Sequence, residues 1–269
     1  MDLIWTADDR FTVDGVAFVC SHGESTPDLF CIRKPRPLVD ATVALVRRVH
    51  PDRIVEIGIA SGGSAALLAL VAQPRLLVGI ERDEAPVDAL AQLIAARALA
   101  VSTYYGVDQS DHERLTAIIA DEFGPEPIDL VIDDASHRFE ETRASFETLF
   151  PRLAPGGTYV IEDWNWQLRL SYGIAHPSTE PAPARLTGDE SLRAYFRDNM
   201  RPVSLEALAL QLVLVRACSR DVVSDLFIDE SRVVITRGDA QLDPDTFRVA
   251  DHFADPHGIL HTDPDDRAW

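Results

Sequence analysis

Ile54-Val55-Glu56-Ile57-Gly58-Ile59-Ala60-Ser61-Gly62-Gly63-Ser64-Ala65-Ala66-Leu67-Leu68-Ala69-Leu70-Val71-Ala72 is the stretch that decides the fold. Residues 54 to 60 form a short apolar run of the strand type, and from about Ser64 the run reads as a helix. The glycines between them let a backbone approach a ligand closely. The start of the helix offers N–H groups with no partner inside the helix. Such a turn suits an anionic or nucleoside ligand. A dinucleotide fingerprint would need glycine at 58, 60 and 63, and position 60 is Ala, whose methyl would crowd a pyrophosphate. The turn also lacks the Gly-Lys-Ser/Thr ending of a nucleotide-hydrolase loop.

Working outward, Leu76–Glu81, 101–107, 128–134 and 158–163 are further strands. Residues 38–49, 87–100, 112–123 and 139–150 are helices between or before them. Alternation of this kind predicts a mainly parallel sheet with helices on both faces. Residues 222–228 and 232–237 are separated by three residues, which predicts an antiparallel hairpin at one edge. The strands stay apolar until their last residues, which are acids: Glu81, Asp133, Asp134, Glu162 and Asp163. Carboxyl ends of parallel strands are where open α/β sheets bind ligands. An acid at Glu81 can accept both ribose hydroxyls of a nucleoside, in NAD or S-adenosylmethionine alike.

The 269 residues carry 44 Asp+Glu against 25 Lys+Arg, a formal charge of −19, which argues against a nucleic-acid partner. Lys34 is the only lysine. Three cysteines with no metal or disulfide spacing predict ordinary reduced thiols and a cytoplasmic protein. Neither a leader nor a membrane span is evident. Residues 1–37 read as an N-terminal arm, with Arg33-Lys34-Pro35-Arg36-Pro37 exposed. Residues 38–240 read as the main domain, with a lid or insertion at about 164–190. Residues 191–219 read as helix in two pieces, and 241–269 as an acidic tail, partly disordered.

VEIGIASGGSA, GIERD and GVDQSD at 106–111 resemble the cofactor half of a class I S-adenosylmethionine-dependent methyltransferase. The resemblance implies a Rossmann-like fold and a cofactor cradle at Glu56, Gly58, Ala60, Ser61, Gly62 and Ser64. It also implies Glu81 on the ribose and Asp108 and Gln109 beside the adenine. Within that superfamily, VIDDASHRFEETRASFETLFPRLAPGGTYVIED at 131–163 resembles the macrocin and mycinamicin sugar O-methyltransferases and the cephalosporin-hydroxylase-like group. The likeness covers about residues 40–240 and is strongest over 128–163. Such enzymes often assemble as homo-oligomers.

Asp134, Glu162 and Asp163 end two strands, and adjacent strands would bring the three carboxylates to one rim. Like charges raise one another's pKa, and a divalent cation relieves that cost. Oxygen donors without a Cys or His cluster favour Mg²⁺ over Zn²⁺. The resemblance implies the same three ligands, although the sugar enzymes often have two aspartates where this chain has Glu162-Asp163. His137 stands where those enzymes keep their general base, a role a histidine can fill. Asp133 orients either the cofactor or the loop. Trp164 and Trp166 either wall the substrate or pack beneath the lid, and Tyr172 and His176 are further candidate substrate contacts. The expected activity is Mg²⁺-dependent transfer of a methyl group to a hydroxyl of a glycosylated or polyhydroxylated small molecule. An NAD-dependent oxidoreductase and a non-catalytic nucleoside-binding module are the alternatives.

Overall fold

A computed structural model describes residues 2–175, 194, 200–256 and 260. Its centre is a seven-stranded sheet in the order β10-β11-β9-β8-β5-β6-β7. The strands are β5 (Arg53–Ile57), β6 (Leu76–Ile80), β7 (Val101–Tyr104), β8 (Ile128–Asp133), β9 (Leu153–Glu162), β10 (Val223–Ile228) and β11 (Arg232–Arg237). The first five run parallel, and β11 is inserted antiparallel between β9 and β10. Strand order reverses direction at β5 and β8, which makes their carboxyl ends the switch point of the sheet.

Period-two alternation sends successive side chains to opposite faces. Ile54, Leu130, Ile132, Val160 and Val234 face α1 (Arg36–Val49) and α2 (Gly63–Ala72). Val55, Val131, Ile161, Val233 and Ile235 face α4 (His112–Phe123), α5 (Phe139–Leu149) and α7 (Glu206–Cys218). Two apolar layers thus sandwich the sheet, as the alternation of strands and helices predicts. The helices α3 (Asp88–Arg97) and α6 (Trp166–Ala175) complete the set named below.

Three expectations need correction. Residues 1–37 are not a loose arm. They form a second sheet of β1 (Leu3–Trp5), β2 (Arg10–Val13), β3 (Val16–Cys20) and β4 (Phe30–Ile32), antiparallel except for the parallel β3–β4 pair. Phe11, Phe18 and Phe30 are buried with residues of α1 and α2, and the Phe11 and Phe18 rings stack 4.9 Å apart. The aromatic content of this segment supplied a core where its glycines and acids suggested a coil. Its docking needs a glycine at 63, where a Cβ would stand 2.1 Å from the Cys31 carbonyl oxygen.

Second, the region after Asp163 begins as helix α6 rather than as an irregular lid, and most of the rest of it lies outside the described residues. Third, the tail is anchored at its start. Phe247 and Val249 are buried, and Phe247 packs 5.8 Å from the Phe150 ring. Two apolar residues in an acidic stretch were enough to fix it. Of the two helical pieces expected over 191–219, the second is α7. No helix among the described residues is long and apolar enough to cross a membrane.

Candidate active site

The turn after β5 is built by close backbone approach. Gly58 has φ +86°, and a Cβ there would lie 2.3 Å from the carbonyl oxygen of Asp134. Gly62 has φ +80° and caps α2, while the Ser61 hydroxyl donates to the Cys31 carbonyl at 3.2 Å. The Ala60 N–H donates to Glu81 Oε2 at 2.7 Å. The other oxygen of Glu81 accepts from the backbone N–H groups of Arg82 and Asp83 at 2.8 and 3.1 Å. Glu81 therefore ties the turn to the end of β6 and keeps one of its roughly four lone-pair sites, on Oε2, for an incoming donor. A cavity of about 560 Å³ opens here, lined by Gly58, Ala60, Ser61, Ser64, Glu81 and Asp108 on one side. Asp134, His137 and Asp163 line the other side, and His22, Glu24, Arg33 and Lys34 of the N-terminal segment complete it. Replacing Glu81 by Ala should weaken S-adenosylhomocysteine binding roughly 10- to 100-fold by calorimetry, since it removes a charged acceptor worth about 1.5–3 kcal/mol. An unchanged affinity would remove Glu81 from the cofactor cradle.

Asp133 works beneath the cavity, which Gln109 helps to line. Asp133 is buried and accepts from Ser145 Oγ at 2.6 Å, Tyr159 OH at 3.0 Å and Gln109 Nε2 at 3.2 Å. Burial pushes its carboxyl up to about 6, against the hydrogen bonds from Ser145 and Tyr159 that hold it down. Gln109 Oε1 in turn accepts the Ser136 N–H at 2.8 Å. Asp133 thus braces, through Gln109, the loop that carries Asp134 to His137. Asp108 faces the cavity, and its carboxylate accepts from the Ser110 hydroxyl and backbone N–H, which hold it below the usual range.

Asp134, His137 and Asp163 come together: one ligand atom from each lies within 4.8 Å of the others. His137 Nε2 stands 3.8 Å from Asp134 Oδ1. Glu162 is adjacent but differently engaged. Its buried carboxylate bonds the Lys34 ammonium, which also donates to Asp134 Oδ2 at 2.5 Å. Burial alone would lower the Lys34 pKa, but the charges of Asp134 and Glu162 outweigh it and hold the ammonium charged. Lys34 was expected on an exposed arm and is 6% exposed. Its singularity in an arginine-rich chain was the one sequence signal for it.

Glu56 lies below this cluster, fully buried, and neither carboxyl oxygen has a well-formed hydrogen bond among the described residues, although the nearby Ser64 hydroxyl helps to hold the carboxyl down. It does not line the cavity as expected. Burial pushes its carboxyl up to about 8, and Lys34 only partly offsets this. The native state therefore keeps a proton that the unfolded chain, titrating near 4.5, has lost. Stability should fall as pH rises from about 4.5 through about 8, because more protons are bound folded than unfolded. Denaturant midpoints of Glu56→Gln should decline less steeply over that window, and parallel curves for the two proteins would refute the assignment.

Backbone strain concentrates at this rim. Ala60, His137 and Asp163 have φ of +44°, +54° and +48°, three of the seven non-glycine residues with positive φ among those described. Such strain persists where surroundings over-determine it, and it clusters at functional sites. Trp166 helps to do so, donating its Nε1–H to the His137 carbonyl at 2.7 Å. Trp164 instead donates to the Asp229 carbonyl at 3.0 Å and packs on the core, outside the cavity lining. Tyr172 is 48% exposed on α6, away from the cavity lining, and His176 lies outside the described residues.

The donor set fits a hard divalent cation. Asp134 and Asp163 offer oxygens at the rim, and the buried Oε1 of Glu162 has no hydrogen-bond partner among the described residues. A buried acceptor left unpaired costs free energy that a cation would recover.

A methyltransferase-domain family matches residues 55–164. Demethylmacrocin O-methyltransferase of Streptomyces fradiae is 42% identical over 74 residues, 22% of this chain and 19% of the relative. Mycinamicin VI 2''-O-methyltransferase of Micromonospora griseorubida is 51% identical over 65 residues, 24% of this chain and 15% of the relative. The chain thus matches less than a quarter of the length of either relative. Among solved structures, the methyltransferase PaMTH1 of Podospora anserina superposes with a TM-score of 0.52 at 18% identity, over 77% of this chain and 80% of that one. That likeness fixes the fold: a mainly parallel Rossmann-like sheet closed by an antiparallel hairpin. The methyltransferase-domain match spans residues 55–164, the part of the chain that holds the glycine turn, Glu81, the Asp133 network and the Asp134–His137–Asp163 cluster.

Proposed function

We propose that this protein is an S-adenosylmethionine-dependent O-methyltransferase acting on a hydroxyl of a sugar or other vicinal-diol natural product, with Mg²⁺ as its metal. The observation that carries the reading is the meeting of Asp134, His137 and Asp163 across one cavity from the glycine turn and Glu81. The relatives' names, O-methyltransferases of demethylmacrocin and of mycinamicin VI, are in keeping with it.

S-adenosylmethionine supplies an electrophilic methyl group, and a bound Mg²⁺ supplies Lewis acidity toward an acceptor hydroxyl. Gly58, Ala60, Ser61 and Ser64 form the floor on which the cofactor would lie, and Glu81 accepts its ribose hydroxyls. Asp134 and Asp163, with Glu162 behind them, are the residues that would hold the metal. His137 Nε2 faces the same space and takes the acceptor's proton as the new carbon–oxygen bond forms. Asp133, Gln109 and Trp166 fix the His137 loop in advance, and positioning of this kind is a large part of catalysis. Unbonded thiols at Cys20, Cys31 and Cys218 suit a cytoplasmic location.

Calorimetric titration of S-adenosylhomocysteine with Mg²⁺ present tests the reading, with NAD as the control. Micromolar binding of the first and no heat from the second is expected, followed by methyl transfer to diol-bearing glycosides. Binding of NAD in preference would overturn the reading.

A further inference from the structure

The Lys34 ammonium sits between two of the three acids that the sequence pattern assigns to the metal. Asp134 belongs to both arrangements. Its Oδ2 accepts from Lys34, while its Oδ1 faces His137 Nε2 at 3.8 Å in the cluster with Asp163. Glu162 gives one oxygen to Lys34 and keeps the other buried with no hydrogen-bond partner among the described residues. A divalent ion bonded to these carboxylates would stand within a few ångströms of the ammonium, and like charges at that range repel strongly out of water.

We propose that Lys34 is the internal counter-ion of the metal-free site, holding Asp134 and Glu162 in place and competing with a divalent cation for them, so that cation entry releases its side chain into the cavity. This rests on the metal-dependent reading above. The backbone here is fixed: β4 pairs with β3, Pro35 caps α1, and Cys31 lies against Gly63. The side chain is not fixed in the same way. Lys34 lines the cavity, and rotation about its four-carbon stem carries the charge away without moving the fold. In the metal-free state, breaking the pair would leave a buried carboxylate uncompensated, which is strongly unfavourable. Lys34 therefore keeps the acids assembled until a doubly charged ion replaces it.

Because Lys34 is the only lysine, acylation of its ε-amine can be followed by peptide mass mapping on the unaltered protein. Labelling should be slow without metal, where the side chain is 6% exposed, and at least about tenfold faster in saturating Mg²⁺, where the flexible stem has carried the amine into the cavity. In parallel, Lys34→Met should bind Mn²⁺ at least about tenfold tighter than wild type by paramagnetic resonance, while Lys34→Arg stays weak. Equal or weaker Mn²⁺ binding by Lys34→Met, with labelling indifferent to Mg²⁺, overturns the proposal and leaves the metal site standing. Mn²⁺ binding to neither protein overturns the metal-dependent reading as well. If Lys34→Met does not fold, the labelling of the native protein decides alone.

Discussion

Replacing His137 with Ala should lower kcat by about 10²- to 10⁴-fold, the usual contribution of a positioned general base, and leave S-adenosylhomocysteine affinity unchanged. The separation follows from geometry. His137 faces the cavity from the Asp134 side, across from the glycine turn and Glu81. Its backbone is held at φ +54° by the surroundings, not by its own side chain: Trp166 bonds its carbonyl and Gln109 bonds the neighbouring Ser136 N–H. Removing the imidazole therefore deletes a proton acceptor without releasing the loop. A positive φ is also a poor place for Ala, so Asn, which tolerates that conformation better, is the companion substitution. Should both variants keep kcat within tenfold of wild type, His137 is not the base. Should both lose cofactor binding, the loop has collapsed and the experiment reports on folding.

How much of this was legible in the sequence depends on the range of the interaction. The sheet was readable because each strand alternates apolar residues toward two faces and each ends in an acid or a glycine turn. The meeting of Asp134 and Asp163 was readable because strand ends that are adjacent in the sheet bring their residues together, and His137 joined them through the family resemblance. Lys34 was not. Its contacts to Asp134 and Glu162 span 100 and 128 positions, and nothing in Arg33-Lys34-Pro35 announces a buried ammonium. Trp164 was left between two roles for a related reason. An aromatic beside a candidate ligand looks like a substrate wall until the hairpin at Asp229 is seen to accept its N–H. The N-terminal sheet hid because its strands run from three to five residues, too short for a clear period.

Gly58 to Ala should be the most damaging single methyl in the domain. The glycine is at φ +86°, where an L side chain costs about 1–2 kcal/mol. The added Cβ would also lie 2.3 Å from the Asp134 carbonyl oxygen and 2.8 Å from the Ala135 Cα, both backbone atoms that cannot rotate aside. Overpacking of this kind costs about a further 1–3 kcal/mol. Thermal unfolding should report the sum, roughly 2–5 kcal/mol, as a fall of about 5–20 °C for a domain of this size. Gly156 separates the two causes. It has φ +82° with nothing within 4 Å of its Cβ position, so Gly156→Ala carries the backbone cost alone. The difference between the variants then measures how tightly the glycine turn is packed against the Asp134 loop. If Gly58→Ala still folds, its relief must come from a shift of that loop, which carries Asp134 and His137. A displacement near 1 Å costs about 10²-fold in rate. Loss of rate together with stability at Gly58, and of stability alone at Gly156, would tie the turn that decides the fold to the chemistry at the rim. Equal effects at the two glycines would mean the approach at Gly58 relaxes freely and the two loops are independent.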